Sequence, residues 1–241
     1  MSVKTGEIYK STENTNIKVI KQNSSSHVLV EFECGTQKLV QIGALKRGEV
    51  RDKGVRKIAN IGYIGFGVWS ASHKTIYSRW TAMISRCYNI KDKDYKNYGA
   101  LGIYVCDDWH NFQNYAKWFS ENCKDESYKL DKDILIKNNK VYSPDTCCFV
   151  PISLNSIFID SHHGNLPYGV KKKNNRPGYE ANIRKHGKRY YLGYFKTIED
   201  AFAKYKEEKE KYVKDLANFY KDKLEPNVYN ALMNFTVEIT D

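Results

Sequence analysis

The sequence predicts a mixed α+β protein, and two changes in the spacing of its apolar residues support this prediction. Over most of the first 55 residues apolar and polar side chains alternate, which is typical of half-buried strands. From Ile76 onward apolar residues recur every three or four positions, as on one face of a helix, and the last third shows strands followed by one long helix. A chain of 241 residues exceeds the usual size of one domain, so we expect two or three compact units.

Residues 1–55 are predicted to form a small antiparallel β-barrel. The segments NIKVIKQ, HVLVEFE and QKLVQI alternate apolar and polar residues, and the intervening NSSS and CGT favour turns. This arrangement resembles an SH3-like barrel, a module that could bind a protein partner. The glycine run IGYIGFGVW that follows lacks the G-K-[ST] of a phosphate-binding loop, so a connector or bulged strand is favoured.

Residues 56–160 combine two amphipathic helices with a strand, a loop, a second strand and a further helix. The segments IYSRWTAMISRCYNI and NFQNYAKWFSENC each place apolar side chains on one helical face. The segment YKLDKDILIKNNKVYSPDTCCFVPISLNSIF then predicts an acidic strand, an Asn-rich loop, a Ser-Pro-Asp turn, a second short strand and the start of a helix.

Residues 161–241 are predicted to form a three-stranded sheet packed on one helix. The segments YGVKKK, YEANIRK and KRYYLGYF supply the strands. Thr197 caps a long amphipathic helix whose apolar face runs from Ile198 to Phe219. The closing NVYNALMNFTVEI predicts a small docking helix and a tail.

The composition predicts a polyanionic partner. The net charge is +11 with an isoelectric point near 9.2, and each third of the chain, divided at residues 55 and 160, is basic. No apolar run approaches the roughly 20 residues of a membrane span, and the start MSVKTGEIYK lacks a signal-peptide core. We therefore expect a cytoplasmic protein with no membrane partner. The six cysteines include no C-x-x-C pair, so no zinc is expected.

The charge is concentrated in residues 168–197, which hold nine Lys or Arg and one acid, Glu180. In a sheet covered on one face by a helix, alternate side chains reach the free face, so Lys171, Tyr179 and Arg184 are expected outward or at the edges. A sheet of this width can enter the DNA major groove, where Arg pairs with guanine and Lys contacts phosphates. The alternative is a solvated basic face with no partner, which is costly at this charge density.

The same segment resembles an AP2 domain, the plant ERF-type DNA-binding module that is also found in phage and mobile-element proteins. The matching features are Tyr168-Gly169-Val170, the Tyr-Glu-Ala-Asn-Ile of the second strand, Gly187-Lys188, the Leu-Gly-Tyr-Phe turn, and Thr197-Ile-Glu-Asp-Ala at the helix start. The resemblance implies binding of double-stranded DNA in the major groove, chiefly by Lys171, Lys173, Arg176, Arg184 and Arg189. The full predicted DNA-binding set is Lys171, Lys172, Lys173, Arg176, Tyr179, Arg184, Lys188, Arg189 and Tyr191.

Residues 75–158 resemble the HNH homing endonucleases that phages often join to AP2 modules. The similar features are RWTAMISRCYN, YGALGIYVCDDW, LDKDI, NNKVYSPDTCCFVP and Asn155. The family's ββα fold holds one divalent ion, Mg²⁺ or Mn²⁺. By position, the resemblance implies metal binding by Asp131 and Asn155. Asp133 is a second acid, expected on the same strand face, which could help to bind the metal or pair with Lys132 or Lys140.

The resemblance departs from the family at the catalytic positions. Lys132 stands where the family has its general-base His, and Thr146 stands where an Asn orients that His. A protonated lysine cannot accept a proton, so the residue that starts the reaction is lost. The histidines at 110, 162 and 163 are candidate replacements, although an ordinary surface or capping histidine is favoured for each.

Three hypotheses follow. The first is a phage-type protein that binds double-stranded DNA in the host cytosol through a degenerate nuclease scaffold, as a regulator or counter-defence factor. The second is an active endonuclease of the HNH class that depends on Mg²⁺ or Mn²⁺. The third is an adaptor whose N-terminal barrel binds a host or phage protein.

Overall fold

A computed structural model describes residues 2–158, 166–172 and 177–240, and the predicted α+β class is confirmed. None of the helices in these ranges has the length and apolar character that a membrane crossing needs. In chain order the strands and helices are β1 (Ile8–Lys10), β2 (Asn16–Gln22), β3 (His27–Phe32), β4 (Gln37–Gln41), α1 (Ile42–Lys46), α2 (Lys74–Tyr88), β5 (Tyr104–Val105), α3 (Phe112–Asn122), β6 (Lys129–Asp131), β7 (Val141–Tyr142), β8 (Cys148–Val150), α4 (Ile152–Asn155), β9 (Val170–Lys172), β10 (Tyr179–Lys185), β11 (Lys188–Phe195), α5 (Ile198–Phe219) and α6 (Pro226–Met233).

The chain divides into two compact units, residues 1–122 with 140–143, and residues 123–139 with 144–241. In the first unit, strands β1 to β4 form an antiparallel sheet in chain order. The described strands do not close into a barrel, so the predicted barrel is wrong in this respect. The reason is local: β1 has only three residues, and α1 follows β4 directly and buries Ile42 and Leu45 in the core of the sheet.

The rest of the first unit is built on α2 and α3, as the helical spacing predicts. Trp80 of α2 and Phe112 of α3 are fully buried with ring centroids 5.2 Å apart, and the Trp80 Nε1 donates to the carbonyl of Trp109. The two-residue strands β5 and β7 pair in parallel. The glycine run is a connector, and the Gln113 Nε2 holds it by donating to the carbonyls of Ile64 and Trp69.

The second unit contains both the strand–loop–strand–helix segment and the basic sheet. Strands β6 and β8 pair antiparallel, and α4 follows. Strands β9, β10 and β11 form an antiparallel sheet in the order β11-β10-β9. The α5 helix packs on this sheet, and the Thr197 Oγ1 accepts from the backbone N–H of Asp200, as the predicted cap requires.

One hydrophobic core joins the two parts of this unit. Val150 and Leu154, from β8 and α4, lie in the same buried cluster as Ile183 of β10 and Val213 of α5. The buried Lys209 of α5 donates to the carbonyl of residue 157 at 2.8 Å. The segments before and after the predicted boundary between residues 160 and 161 therefore contribute to one hydrophobic core. The division of the chain into three domains stays a prediction.

Candidate nucleic-acid interface and nuclease-like centre

The strand register determines which side chains of the sheet share a face. Ala181 and Ile183 of β10 are buried against α5, so their neighbours along the strand lie on the opposite side. Directly paired residues of antiparallel strands lie on the same side, which extends this assignment to β9 and β11. The resulting outer face consists of Lys171, Glu180, Asn182, Arg184, Arg189, Tyr191 and Tyr194.

The predicted DNA-binding residues divide between this outer face and the edges. Lys171, Arg184, Arg189 and Tyr191 are exposed on the outer face. The other members of the predicted DNA-binding set do not lie on the outer face or lie outside the described residues. Tyr179 was expected outward or at an edge; it shares the side of Ala181 and is half-buried, so the outward placement is wrong. Lys172 and Lys188 lie on the same side of the sheet as Ala181 but are exposed. Lys173 and Arg176 lie outside the described residues.

The turn between β10 and β11 concentrates positive charge. Residues 184–189, the hairpin tip, contain two consecutive cross-strand pairs of like charge, Arg184 with Arg189 and Lys185 with Lys188. His186 and Gly187 connect them with φ of 49° and 76°, the left-handed conformation of a tight two-residue hairpin turn.

Like charges directly opposite each other destabilise a sheet. Lys185 is neutralised by Glu208 of α5, at 2.9 Å. Within the described part of the chain, neither arginine of the hairpin tip forms an ion pair, and both are exposed. The tip therefore has uncompensated positive charge that an anionic partner would neutralise.

Asn182 is an outer-face residue that our sequence reasoning missed. Its Nδ2 is buried and has no hydrogen-bond partner among the described residues. A buried amide donor without a partner costs free energy, which makes this position unusual for a purely structural residue. Strand alternation was the available signal, because Asn182 lies midway between the buried Ala181 and Ile183.

The nuclease-like segment contains the predicted strand, loop, second strand and helix as β6, the following loop, β8 and α4, but the short strand β7 between the loop and β8 was not predicted. Asp131, the last residue of β6, pairs with Cys148 of β8 and is buried. Its Oδ1 accepts hydrogen bonds from the backbone N–H groups of Asp133 and Ile134, at 2.7 and 2.8 Å. Burial raises the pKa of Asp131, despite these two donors. Burial likewise raises the pKa of the Cys148 thiol, which is therefore a poor nucleophile.

Lys132 is a structural cation rather than a candidate base. The residue is 7% exposed, and its Nζ donates to both carboxylate oxygens of Asp133 at 2.7 and 2.8 Å and to the carbonyl of Asn139 at 2.8 Å. Since β6 ends at Asp131, Asp133 does not lie on the strand face expected for it. Of the two roles open to Asp133, pairing with a lysine is the one that the geometry supports.

The other predicted catalytic and metal positions lie on different elements of the fold. Thr146 is buried just before β8, with its Oγ1 4.0 Å from the Cys147 Sγ, and Asn155 is the half-buried last residue of α4. His110 belongs to the first unit, where it ends a short 3-10 helix. Its Nε2 lies 3.1 Å from the carbonyl of Val105, and burial lowers its pKa. The histidines at 162 and 163 lie outside the described residues.

The divalent ion implied by the HNH resemblance does not fit these residues. One oxygen of Asp131 already accepts two backbone N–H groups, and both oxygens of Asp133 bind the Lys132 ammonium. A second cation beside this ammonium would be repelled. Across the described ranges, no group of three or more His, Cys, Asp or Glu side chains is placed to hold a metal ion.

Comparisons with protein-family models, curated proteins and solved structures found no match to this chain. The AP2 and HNH resemblances therefore stay predictions from sequence motifs.

Asp131→Asn is expected to stabilise the folded protein at neutral pH. Burial raises the folded-state pKa above the ordinary 3.8, so the folded state binds this proton more tightly than the unfolded state. The free energy of unfolding consequently falls as pH rises from the unfolded-state pKa to the folded-state pKa of Asp131, and the loss is complete above the folded-state pKa. Asparagine keeps the accepting oxygen without the charge.

Thermal unfolding of the wild type and the variant at several pH values would measure this effect. The advantage of the variant should shrink as pH falls to about 4 and below, where the aspartate is protonated in both states. An advantage independent of pH, or a variant less stable at neutral pH, would contradict the assignment of a buried, charged carboxylate.

Proposed function

We propose that this protein binds double-stranded DNA through the outer face and the hairpin tip, without cleaving it. The observation that carries this proposal is the pair of exposed, directly opposed arginines, Arg184 and Arg189, which the protein leaves without an ion pair in its described residues. A sheet tolerates such repulsion at a cost, and an anionic ligand removes that cost.

The dimensions and chemistry of the sheet fit a duplex groove. Strands lie about 4.8 Å apart, so three strands span roughly 10 Å between their outer axes, compared with a major groove of about 12 Å. Arginine can donate two parallel hydrogen bonds to guanine, while exposed lysines such as Lys171 and Lys188 suit phosphates. Exposed Tyr191 adds an aromatic surface beside the two arginines.

The contacts of Lys132 support the proposed absence of cleavage. All three ammonium protons donate to oxygen acceptors, so this side chain has no lone pair with which to activate water. Binding without cleavage suits a regulator or counter-defence factor of phage type that covers DNA in the cytoplasm of a bacterial host. This biological role rests on the sequence resemblances.

A salt titration of duplex binding tests the proposal. If the three exposed lysines of the sheet, Lys171, Lys172 and Lys188, each neutralise one phosphate, log K should fall with log salt with a slope of about −2.7, from about 0.9 per contact. A gel-shift assay between about 50 and 200 mM salt would measure it. Binding that is absent at low salt, or insensitive to salt, would reject the proposal.

Incubation with supercoiled plasmid is expected to produce no nicked circles, with either Mg²⁺ or Mn²⁺, at neutral or mildly alkaline pH. The reason is that the Lys132 ammonium, which stands at the position of the family's general base, donates to three oxygen acceptors and cannot accept a proton. Nicking that is lost in Asp131→Asn would instead favour the metal-dependent endonuclease.

A further inference from the structure

The loop from Lys132 to Asn139 is closed by two reciprocal contacts. The Lys132 Nζ donates to the carbonyl of Asn139 at 2.8 Å, and the Asn139 Nδ2 donates to the carbonyl of Lys132 at 2.9 Å. Both residues are buried, at 7% and 9% exposure. Asn138 has a φ of 60°, the left-handed conformation that turns the chain back to make these contacts.

The groups around the Lys132 ammonium are those that bind a hard metal cation. The acceptors are one carboxylate, engaged through both oxygens, and one backbone carbonyl, all at 2.7–2.8 Å from the nitrogen. Bidentate carboxylates and backbone carbonyls are typical Ca²⁺ ligands, at 2.3–2.6 Å. Three acceptors also match the three N–H groups of an ammonium.

We propose that residues 132–139 form a cation-binding loop whose cation is the Lys132 ammonium, so that an external cation binds only when this ammonium is removed. The built-in cation makes folding of the loop independent of metal. The built-in cation also explains why the carboxylate of Asp133 points to Lys132, although its backbone N–H donates to the buried Asp131. This inference concerns the folded chain alone and does not depend on DNA binding.

Lys132→Ala in the full-length protein tests the inference by chemical rescue. We expect the variant to unfold about 5 °C below the wild type, because the Asp133 carboxylate and the Asn139 carbonyl lose their donor. Propylammonium, which replaces the missing atoms, should restore part of the loss, and Ca²⁺ should do the same. Tetramethylammonium at equal ionic strength has no N–H group and should have no effect.

Lys137→Ala is the matched control. Lys137 lies in the same loop and also donates to a backbone carbonyl, but this is the carbonyl of Thr236, at 3.4 Å, and not one of the acceptors around the Lys132 ammonium. Neither this variant nor the wild type should respond to propylammonium or Ca²⁺ beyond the general effect of salt. A wild type that responds as strongly as Lys132→Ala, or a Lys132→Ala protein that responds to neither cation, would overturn the inference.

A measurement on the wild type covers the case in which Lys132→Ala does not fold. The NMR signal of a lysine ammonium survives at neutral pH only when hydrogen bonds and burial slow its exchange with water. The Lys132 ammonium signal is expected to persist and to remain unchanged when millimolar Ca²⁺ is added. Rapid exchange, or displacement of the signal by Ca²⁺, would refute a built-in cation.

Discussion

Replacing Arg184 and Arg189 together by glutamine is expected to weaken duplex binding about 100-fold. Each arginine contact with a base or phosphate contributes about 1–3 kcal/mol, and about 1.4 kcal/mol corresponds to a tenfold change in affinity. Two lost contacts of about 1.4 kcal/mol each give this factor. Fluorescence anisotropy with a labelled duplex would measure the affinity at fixed salt.

The same double variant is expected to be slightly more stable than the wild type. Arg184 and Arg189 are directly opposite across β10 and β11, and removing a repulsive cross-strand pair recovers about 0.2–1 kcal/mol. Weaker DNA binding together with greater folding stability would show that the two arginines contribute to DNA affinity and not to the stability of the fold. A variant that is less stable and binds DNA normally would contradict both expectations.

A charge-matched control separates a local contact from net charge. Lys211 of α5 and Lys223 in the turn after α5 are exposed, and neither lies in the basic sheet. Changing both to glutamine removes the same two charges, but binding should weaken less than threefold because screening limits the effect of distant charges. An equal loss of affinity in both double variants would reject a specific outer-face interface.

Leu154→Ala is expected to destabilise the second unit by about 3 kcal/mol, within the range for a fully buried leucine. Leu154 belongs to α4, yet it lies in the same core as Ile183 of the basic sheet. If that core unfolds cooperatively, amide hydrogen exchange in β10 should accelerate about 100-fold, although no residue of the sheet has been changed.

Ile152→Ala provides the control on the same helix. Ile152 is 61% exposed, so its truncation should change stability by less than about 0.5 kcal/mol. If Leu154→Ala accelerated exchange in β6 and β8 but left β10 protected, the nuclease-like segment and the basic sheet would be independent domains. The boundary between residues 160 and 161, predicted from sequence, would then hold.

Local patterns in the sequence predicted most of the secondary structure of the second unit. Strand β10 and the start of α5 agree with the alternation and with the Thr197 cap, because both depend on neighbouring residues. The apolar face of α5 was less accurate at its end, where Phe219 is 76% exposed. Periodicity indicates which face is apolar, but it does not show where the packing partner ends.

Local sequence patterns predicted only part of the candidate site. Alternation correctly placed Lys171 and Arg184 on the free face. Applied consistently, it also puts Tyr179 on the side of Ala181, two residues along β10, so the outward placement of Tyr179 was an error in applying the pattern. The role of Asp133 depended on the position where β6 ends and on a lysine one residue away. Neither follows from residue type.

The sequence by itself determined the α+β class, the basic character, the strands of the C-terminal sheet and the absence of a histidine at position 132. These features depend on composition and on contacts between residues close in the chain. Only the tertiary structure decided that the first sheet stays open, that Leu154 and Ile183 share a core, and that the ammonium of Lys132 is held by Asp133 and Asn139. Such features depend on burial and on distances across the folded chain, which no local pattern encodes.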